Sequence, residues 1–366
     1  MSESDRALFA PIRFVKGRGV GSNERSRYES WTRESDPREP ELDRDDEEPV
    51  SVKTTITLQQ ARSIISRNSS PDIPFDQSIN PFIGCEHGCV YCYARPTHAY
   101  IGLSPGLDFE TKIFAKANAG ALLRAELNKS SYAPGLIALG ANTDPYQPAE
   151  RRLNITRDVL QVLAEFNVPV GITTKSALVE RDIDLLAPMA AKGLARVLMS
   201  VGTLDLDLAR KMEPRANSPA RRIEAIRRLS AAGIPVGVIV SPVIPAINDK
   251  DIEAVLDAAA AAGASYASYV VLRLPLEVRD LFVEWLAQHF PLRAKHVMSL
   301  VQQLHDGRDY DATFGTRMRG TGVFSQLIAQ RFKVATARLK LNRERTNMDV
   351  TQFRRPAANA GQSELF

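Results

Sequence analysis

"INPFIGCEHGCVYCYARP", Ile79 to Pro96, holds all three cysteines of the 366-residue chain: Cys85, Cys89 and Cys92. Three is an odd number, and intervals of three and two residues close poorly as disulfides. A secreted scaffold would carry more cysteine, spread more widely. Three thiolates on one short loop, loosened by Gly84 and Gly88, can instead hold three irons of a [4Fe–4S] cube. The fourth iron then has no protein thiolate, because the chain has no fourth cysteine. An open iron is what a cluster needs in order to bind a substrate or cofactor directly. The competing reading is a zinc knuckle with His87 or His98 as fourth ligand, although zinc sites favour paired C-x2-C units and the chain has one.

Beyond this loop the chain settles into a rhythm. Short, nearly charge-free, β-branched runs recur at 135–141, 168–176, 195–203, 234–244 and 267–274. They read as buried parallel strands. Amphipathic stretches such as "AERRLNITRDVLQVLAEFN" and "SPARRIEAIRRLSAAG" lie between them, and Gly193 and Gly233 supply helix stops. With a first strand leading into Gly84, six strand–helix units predict an α/β fold, a sheet or partial barrel with its chemistry at the carboxyl ends of the strands.

The boundaries that follow are a charged, mostly disordered extension over 1–50, a lead-in segment over 51–75, a core over 76–290, and a basic helical C-terminal region over 291–366. "GLDFETKIFAK" (106–116) alternates apolar and polar residues and predicts an extra strand or sheet edge. The net charge of +4 is uneven: Glu34–Glu48 holds nine acids against two arginines, and Arg317–Arg355 holds ten basic residues against two acids. No apolar signal region follows Met1, and no run reaches the roughly eighteen apolar residues of a membrane span. A cytoplasmic protein is expected.

C-x3-C-x2-C after the first strand of a six-unit (β/α) chain, with an aromatic residue, Tyr91, before the last cysteine, resembles the radical S-adenosylmethionine (SAM) enzymes. The resemblance covers about residues 76–290 and implies a partial (β/α)6 TIM-like barrel. It further implies a [4Fe–4S] cluster held by Cys85, Cys89 and Cys92, SAM chelated at the open iron, and an electron donor such as flavodoxin or ferredoxin. Reductive cleavage of SAM would then yield a 5′-deoxyadenosyl radical. Within that superfamily, "NPFIGCEHGCVYCYA", the Thr-Asp after the second strand and the lysine ending the third are similar to the spore photoproduct lyase-like branch. "SRNSSPDIPFDQSINPFIGCEHGCVYCYARP" resembles its bacterial PA0069-type subgroup. Lyases of that branch act on DNA and return hydrogen through a cysteine whose position corresponds to Ala141 here.

The same resemblance assigns cofactor roles at the strand ends. The family's Gly-Gly-Glu-like segment is missing from "GANTDPYQPAE" (140–150), where Asn142, Thr143 and Asp144 offer polar atoms instead. Lys175 suits the SAM carboxylate, and Ser200 a ribose or carboxylate hydrogen bond. Each could equally be a polar residue capping the next helix. Glu213 and Arg215 could pair with each other or simply order a loop, and the backbone of 238–249 could contact adenine or form an ordinary turn. No role is assigned to Glu110 or Lys112.

The basic tail, with Arg331, Lys333, Arg338, Lys340, Arg343 and Arg345, suits either phosphate neutralisation on DNA or RNA or a solvated helix face. The final "QSELF" is similar, at Gln362, Leu365 and Phe366, to peptides that dock on the sliding clamp, with Ser363 departing from the usual leucine. Three classes stand: a radical SAM enzyme on nucleic acid, one on a protein or small molecule, and a non-catalytic iron–sulfur or zinc protein.

Overall fold

The computed structural model describes residues 15–23, 27–28, 52–343 and 348–356. In chain order its strands are β1 Thr55–Gln59, β2 Ile65–Arg67, β3 Gln77–Ile79, β4 Phe82–Ile83, β5 Lys112–Lys116, β6 Ile137–Leu139, β7 Val170–Thr174, β8 Ala195–Ser200, β9 Val236–Val243 and β10 Tyr266–Val271. Every apolar run picked out by its β-branched character contains one of the last five. One face of each is buried and the other is at least partly sheltered, so Arg196 in β8 is their one charged residue. Ile137, Val170, Val197, Val238 and Val271 are fully excluded from solvent, and each such side chain contributes roughly 1.5–3 kcal/mol on burial.

β3, β6, β7, β8, β9 and β10 run parallel in sequence order, and β2 joins β3 antiparallel at the edge. No pairing joins β2 to β10 among the described residues, so the barrel is open. Helices Ile155–Glu165, Ile183–Ala191, Pro219–Ala231 and Ile252–Ala261 form the crossovers. Their apolar stripes, such as Val159, Leu160 and Leu163, join the strands in one core. "NSPARR" begins its helix as its composition dictates: the Ser218 hydroxyl accepts from the Arg221 N–H at 3.4 Å, and Pro219 opens the first turn.

A three-stranded sheet, β1–β5–β4, stands beside the entry to the cysteine loop. The 106–116 stretch therefore divides: Leu107–Thr111 is helical and only Lys112–Lys116 is a strand. Part of the charged extension is also ordered, since Val15, Arg18 and Val20 are buried. At the other end, Leu304, Ile328 and Phe332 enter the main core. Arg331 pairs with Glu253 and Arg338 with Asp257, so these tail cations face the Ile252–Ala261 helix. Arg345 and the Gln362–Phe366 peptide lie outside the described residues. Among those described, no helix is long and apolar enough to cross a membrane.

Candidate active site

The cysteine loop leaves β4 at the carboxyl end of the parallel sheet and is held mainly through its backbone. The Cys85 N–H donates to Phe109 O at 2.9 Å, and the Val90 N–H to Met212 O at 3.1 Å. Gln147, fully buried, grips both sides of the turn: its Oε1 accepts from the Glu86 N–H at 2.9 Å and its Nε2 donates to Gly84 O at 3.1 Å. Arg95 Nε donates to Cys89 O at 2.9 Å, while its guanidinium pairs with buried Glu110. Glu110 in turn accepts from the Gly19 N–H at 3.0 Å, and a Cβ at Gly19 would overlap the Gly88 carbonyl. Gly88 itself has φ +68°, and a Cβ there would come 2.7 Å from Glu110 Oε2. The ordered N-terminal stretch is thus a strap laid over the loop.

Cys85 and Cys89 are buried, Cys92 is half-buried, and none is disulfide-bonded. Burial pushes the Cys89 thiol up to about 12 against the opposing pull of Lys175. This donor set fits an iron–sulfur cube. Among the described residues no three His, Cys, Asp or Glu side chains converge as ligands of a single ion, whereas a cube spreads its thiolates over three irons. Neither histidine joins the three thiols in a single-ion ligand group among the described residues. His98 Nε2 engages Lys112 O at 3.1 Å, and burial holds its pKa down to about 4. His87 Nδ1 lies 3.3 Å from Asp144 Oδ2.

Behind the loop runs a buried polar chain. The Tyr91 hydroxyl donates to Glu213, whose carboxylate pairs with Arg222. Arg222 also donates to Ser200 O at 2.9 Å and to Asn217 O at 2.8 Å. Burial would raise the Glu213 carboxyl, but Arg222, Lys175 and the Tyr91 hydroxyl outweigh it and hold it below the usual range. Glu213 and Arg215 do not pair with each other: Arg215 reaches Glu86 at 3.2 Å instead. Lys175 Nζ lies 5.9 Å from the Tyr91 ring centroid. Desolvation lowers its pKa, yet Cys89 and Glu213 overcome this and keep it raised and charged.

The Asn142–Asp144 segment divides in role. Asp144 is a hub, accepting from Thr174 Oγ1 at 2.7 Å, the Lys175 N–H at 2.8 Å and the Tyr146 N–H at 2.9 Å. Burial would raise its carboxyl, but neighbouring His87, followed by the Lys175 N–H and Thr174 hydroxyl bonds, outweighs this and draws it down to about 2. The Thr143 hydroxyl donates to Phe82 O at 3.0 Å. Asn142 donates its backbone N–H to Asn80 Oδ1 at 3.1 Å. Ser200 is buried and its hydroxyl leans on Ser241 O at 3.4 Å, which ties β8 to β9. The 238–249 turn is built around Asn248, whose amide donates to Gly202 O at 2.7 Å and Pro242 O at 2.8 Å. Tyr146 turns away from the loop to donate to Asp182 at 3.0 Å, while Tyr93 stands at the rim and donates to Ala141 O.

A family model described as the radical SAM superfamily matches residues 79–259. The chain is 38% identical over 241 residues to an uncharacterized protein of Mycobacterium tuberculosis, covering 64% of this chain and 71% of that one. It is 27% identical over 202 residues to an uncharacterized protein of Methanocaldococcus jannaschii, covering 55% and 73%. Among solved structures, spore photoproduct lyase complexed with dinucleoside spore photoproduct superposes with a TM-score of 0.56 at 15% identity, over 78% of this chain and 79% of the lyase. At that identity the likeness is one of fold.

Proposed function

We propose a nucleic acid as the substrate of this chain, which belongs to the radical SAM superfamily and is an enzyme of that class. Its cofactors are a [4Fe–4S] cluster and SAM. When bound and reduced, they supply a 5′-deoxyadenosyl radical that abstracts hydrogen from the substrate.

The chain's own residues prepare that chemistry. Cys85, Cys89 and Cys92 would hold three irons, with Gln147 and Arg95 keeping the loop backbone in place. Lys175, charged and sheltered beside Tyr91, would take the SAM carboxylate, and Asn142 offers an amide nearby. Asp144 fixes the Lys175 backbone, while the ammonium lies over the Tyr91 ring.

The observation that carries the substrate reading is the shared architecture over 78% of the chain with a lyase solved holding a dinucleoside lesion. The lesion acted on here differs from spore photoproduct, because every cysteine is placed on the cluster loop and Ala141 stands at the position resembling the lyase's hydrogen donor. The enzyme would work in the cytoplasm, draw electrons from a flavodoxin or ferredoxin, and reach DNA through sliding-clamp docking of Gln362–Phe366.

The test is anaerobic incubation of reconstituted protein with dithionite and SAM, with and without single-stranded DNA, duplex DNA and RNA. A several-fold rise in 5′-deoxyadenosine with one of these is expected. Identical yields in every case would overturn the nucleic-acid reading.

A further inference from the structure

Two tyrosines flank Cys92, and each ring lies against a cation from the carboxyl end of a parallel strand. Lys175, just past β7, covers Tyr91 at 5.9 Å. Arg273, just past β10, has its guanidinium carbon 5.0 Å from the Tyr93 centroid and 6.0 Å from that of Tyr310. The inner pair is closed: Tyr91 is 8% exposed and its hydroxyl is spent on Glu213. The outer pair is open, for Tyr93 is 45% exposed.

Arg273 differs from three other sheltered arginines that rest on carboxylates, and from Arg18, whose guanidinium is taken up by Glu110 O, Val52 O and Thr54 Oγ1. Arg95, Arg222 and Arg317 rest on Glu110, Glu213 and Asp72. Among the described residues Arg273 meets no carboxylate. Its Nη2 donates 3.3 Å to the Tyr310 hydroxyl, and its Nε is buried without a partner. A half-buried guanidinium with its Nε unpartnered and no carboxylate beside it retains donor capacity for an anionic ligand. The planar fork of arginine matches an oxyanion such as phosphate, and an exposed aromatic ring offers a base a face to stack on. Tyr93 follows Cys92 directly, so a ligand held here lies on the rim of the cluster loop.

We propose that Arg273, flanked by Tyr93 and Tyr310, is the subsite that binds a phosphodiester of the substrate strand and sets a neighbouring nucleotide at the rim. This rests on the nucleic-acid reading above, and the experiment separates the two. Full-length, anaerobically reconstituted protein is titrated into a fluorescein-labelled oligothymidylate of about ten nucleotides, within single-strand site sizes, over a series of KCl concentrations. R273Q should weaken binding roughly tenfold and flatten the log–log salt slope by ~0.7, the value of one phosphate contact on a single strand. R273K should retain the slope while losing part of the affinity, since it keeps the charge without the fork.

A second measurement needs no variant. Phenylglyoxal labelling of the wild type, read by peptide mass spectrometry, should fall severalfold at Arg273 when the oligonucleotide is present. It should stay unchanged at Arg210, which is 68% exposed. Oligonucleotide binding with an unchanged slope in R273Q, or with Arg273 unprotected, overturns the subsite and leaves the nucleic-acid reading standing. No binding by the wild type overturns both. Protection of Arg273 by an acidic peptide and not by the oligonucleotide assigns the site to carboxylates and refutes the phosphodiester.

Discussion

Replacing Arg222 by methionine tests whether the buried polar chain behind the cysteine loop is a unit. The side chain is 2% exposed, and methionine retains the apolar stem while removing three donors, those to Glu213, Ser200 O and Asn217 O. Glu213, 4% exposed, is then a buried carboxylate without its guanidinium. Breaking one side of a buried pair costs about 3–5 kcal/mol. The Tyr91 hydroxyl and the Lys175 charge remain near Glu213, which places R222M at the lower end, about 3 kcal/mol. An unfolding entropy of about 2.1 cal/mol/K per residue over 366 residues gives about 0.8 kcal/mol per degree, hence a Tm loss of about 4 °C. Differential scanning calorimetry under anaerobic conditions reads this directly. The double variant E213Q/R222M, which removes the stranded charge, should recover more than half of the loss. An R222M melt within a degree of wild type, or a double variant that melts lower than R222M, would show that the pair is not the stabilising element described.

The remaining predictions concern the site itself. Alanine at Cys85, Cys89 or Cys92 should each abolish the visible iron–sulfur absorbance after reconstitution while far-ultraviolet circular dichroism stays native; a variant that keeps a full cluster removes that cysteine from the ligand set. K175A should weaken SAM binding by roughly ten- to a hundredfold, the equivalent of about 1.5–3 kcal/mol for a charge-assisted hydrogen bond, and unchanged calorimetric affinity would take Lys175 out of the cofactor site. Asp144 contributes stability through a folded pKa of about 2, below its ordinary 3.8. That contribution, about 2 kcal/mol, is fully present above pH 3.8 and fades as pH falls through about 2. The stability gap between wild type and D144N should therefore shrink on acidification, and a gap constant from pH 6 down to about 2 would refute the linkage.

What the chain reveals unaided is what is local. Thiol spacing, Gly84 and Gly88, and the β-branched runs between amphipathic stretches all lie within a few residues of the feature they encode. The cluster motif and six parallel strands were therefore legible, and Gly193 and Gly233 end helices with φ of 70° and 77°. The 106–116 segment was legible in its second half, where Lys112–Lys116 is the extra strand, but not in its first, because five residues of alternating polarity fit one helical turn as readily as a strand. What holds the loop was not legible at all. Gln147 reaches Glu86 across 61 residues, Glu213 reaches Tyr91 across 122, and Gly19 meets Glu110 across 91. Arg222 sits among surface-patterned arginines in "SPARRIEAIRR", and Arg273 closes an apolar strand without any motif around it. Whether a charged side chain lies in solvent or becomes the partner of a buried carboxylate depends on which distant segment the chain path brings beside it. Composition and periodicity carry no record of that path, so only the tertiary structure separates Arg222, paired and internal, from Arg273, sheltered at the rim and without a carboxylate among the described residues.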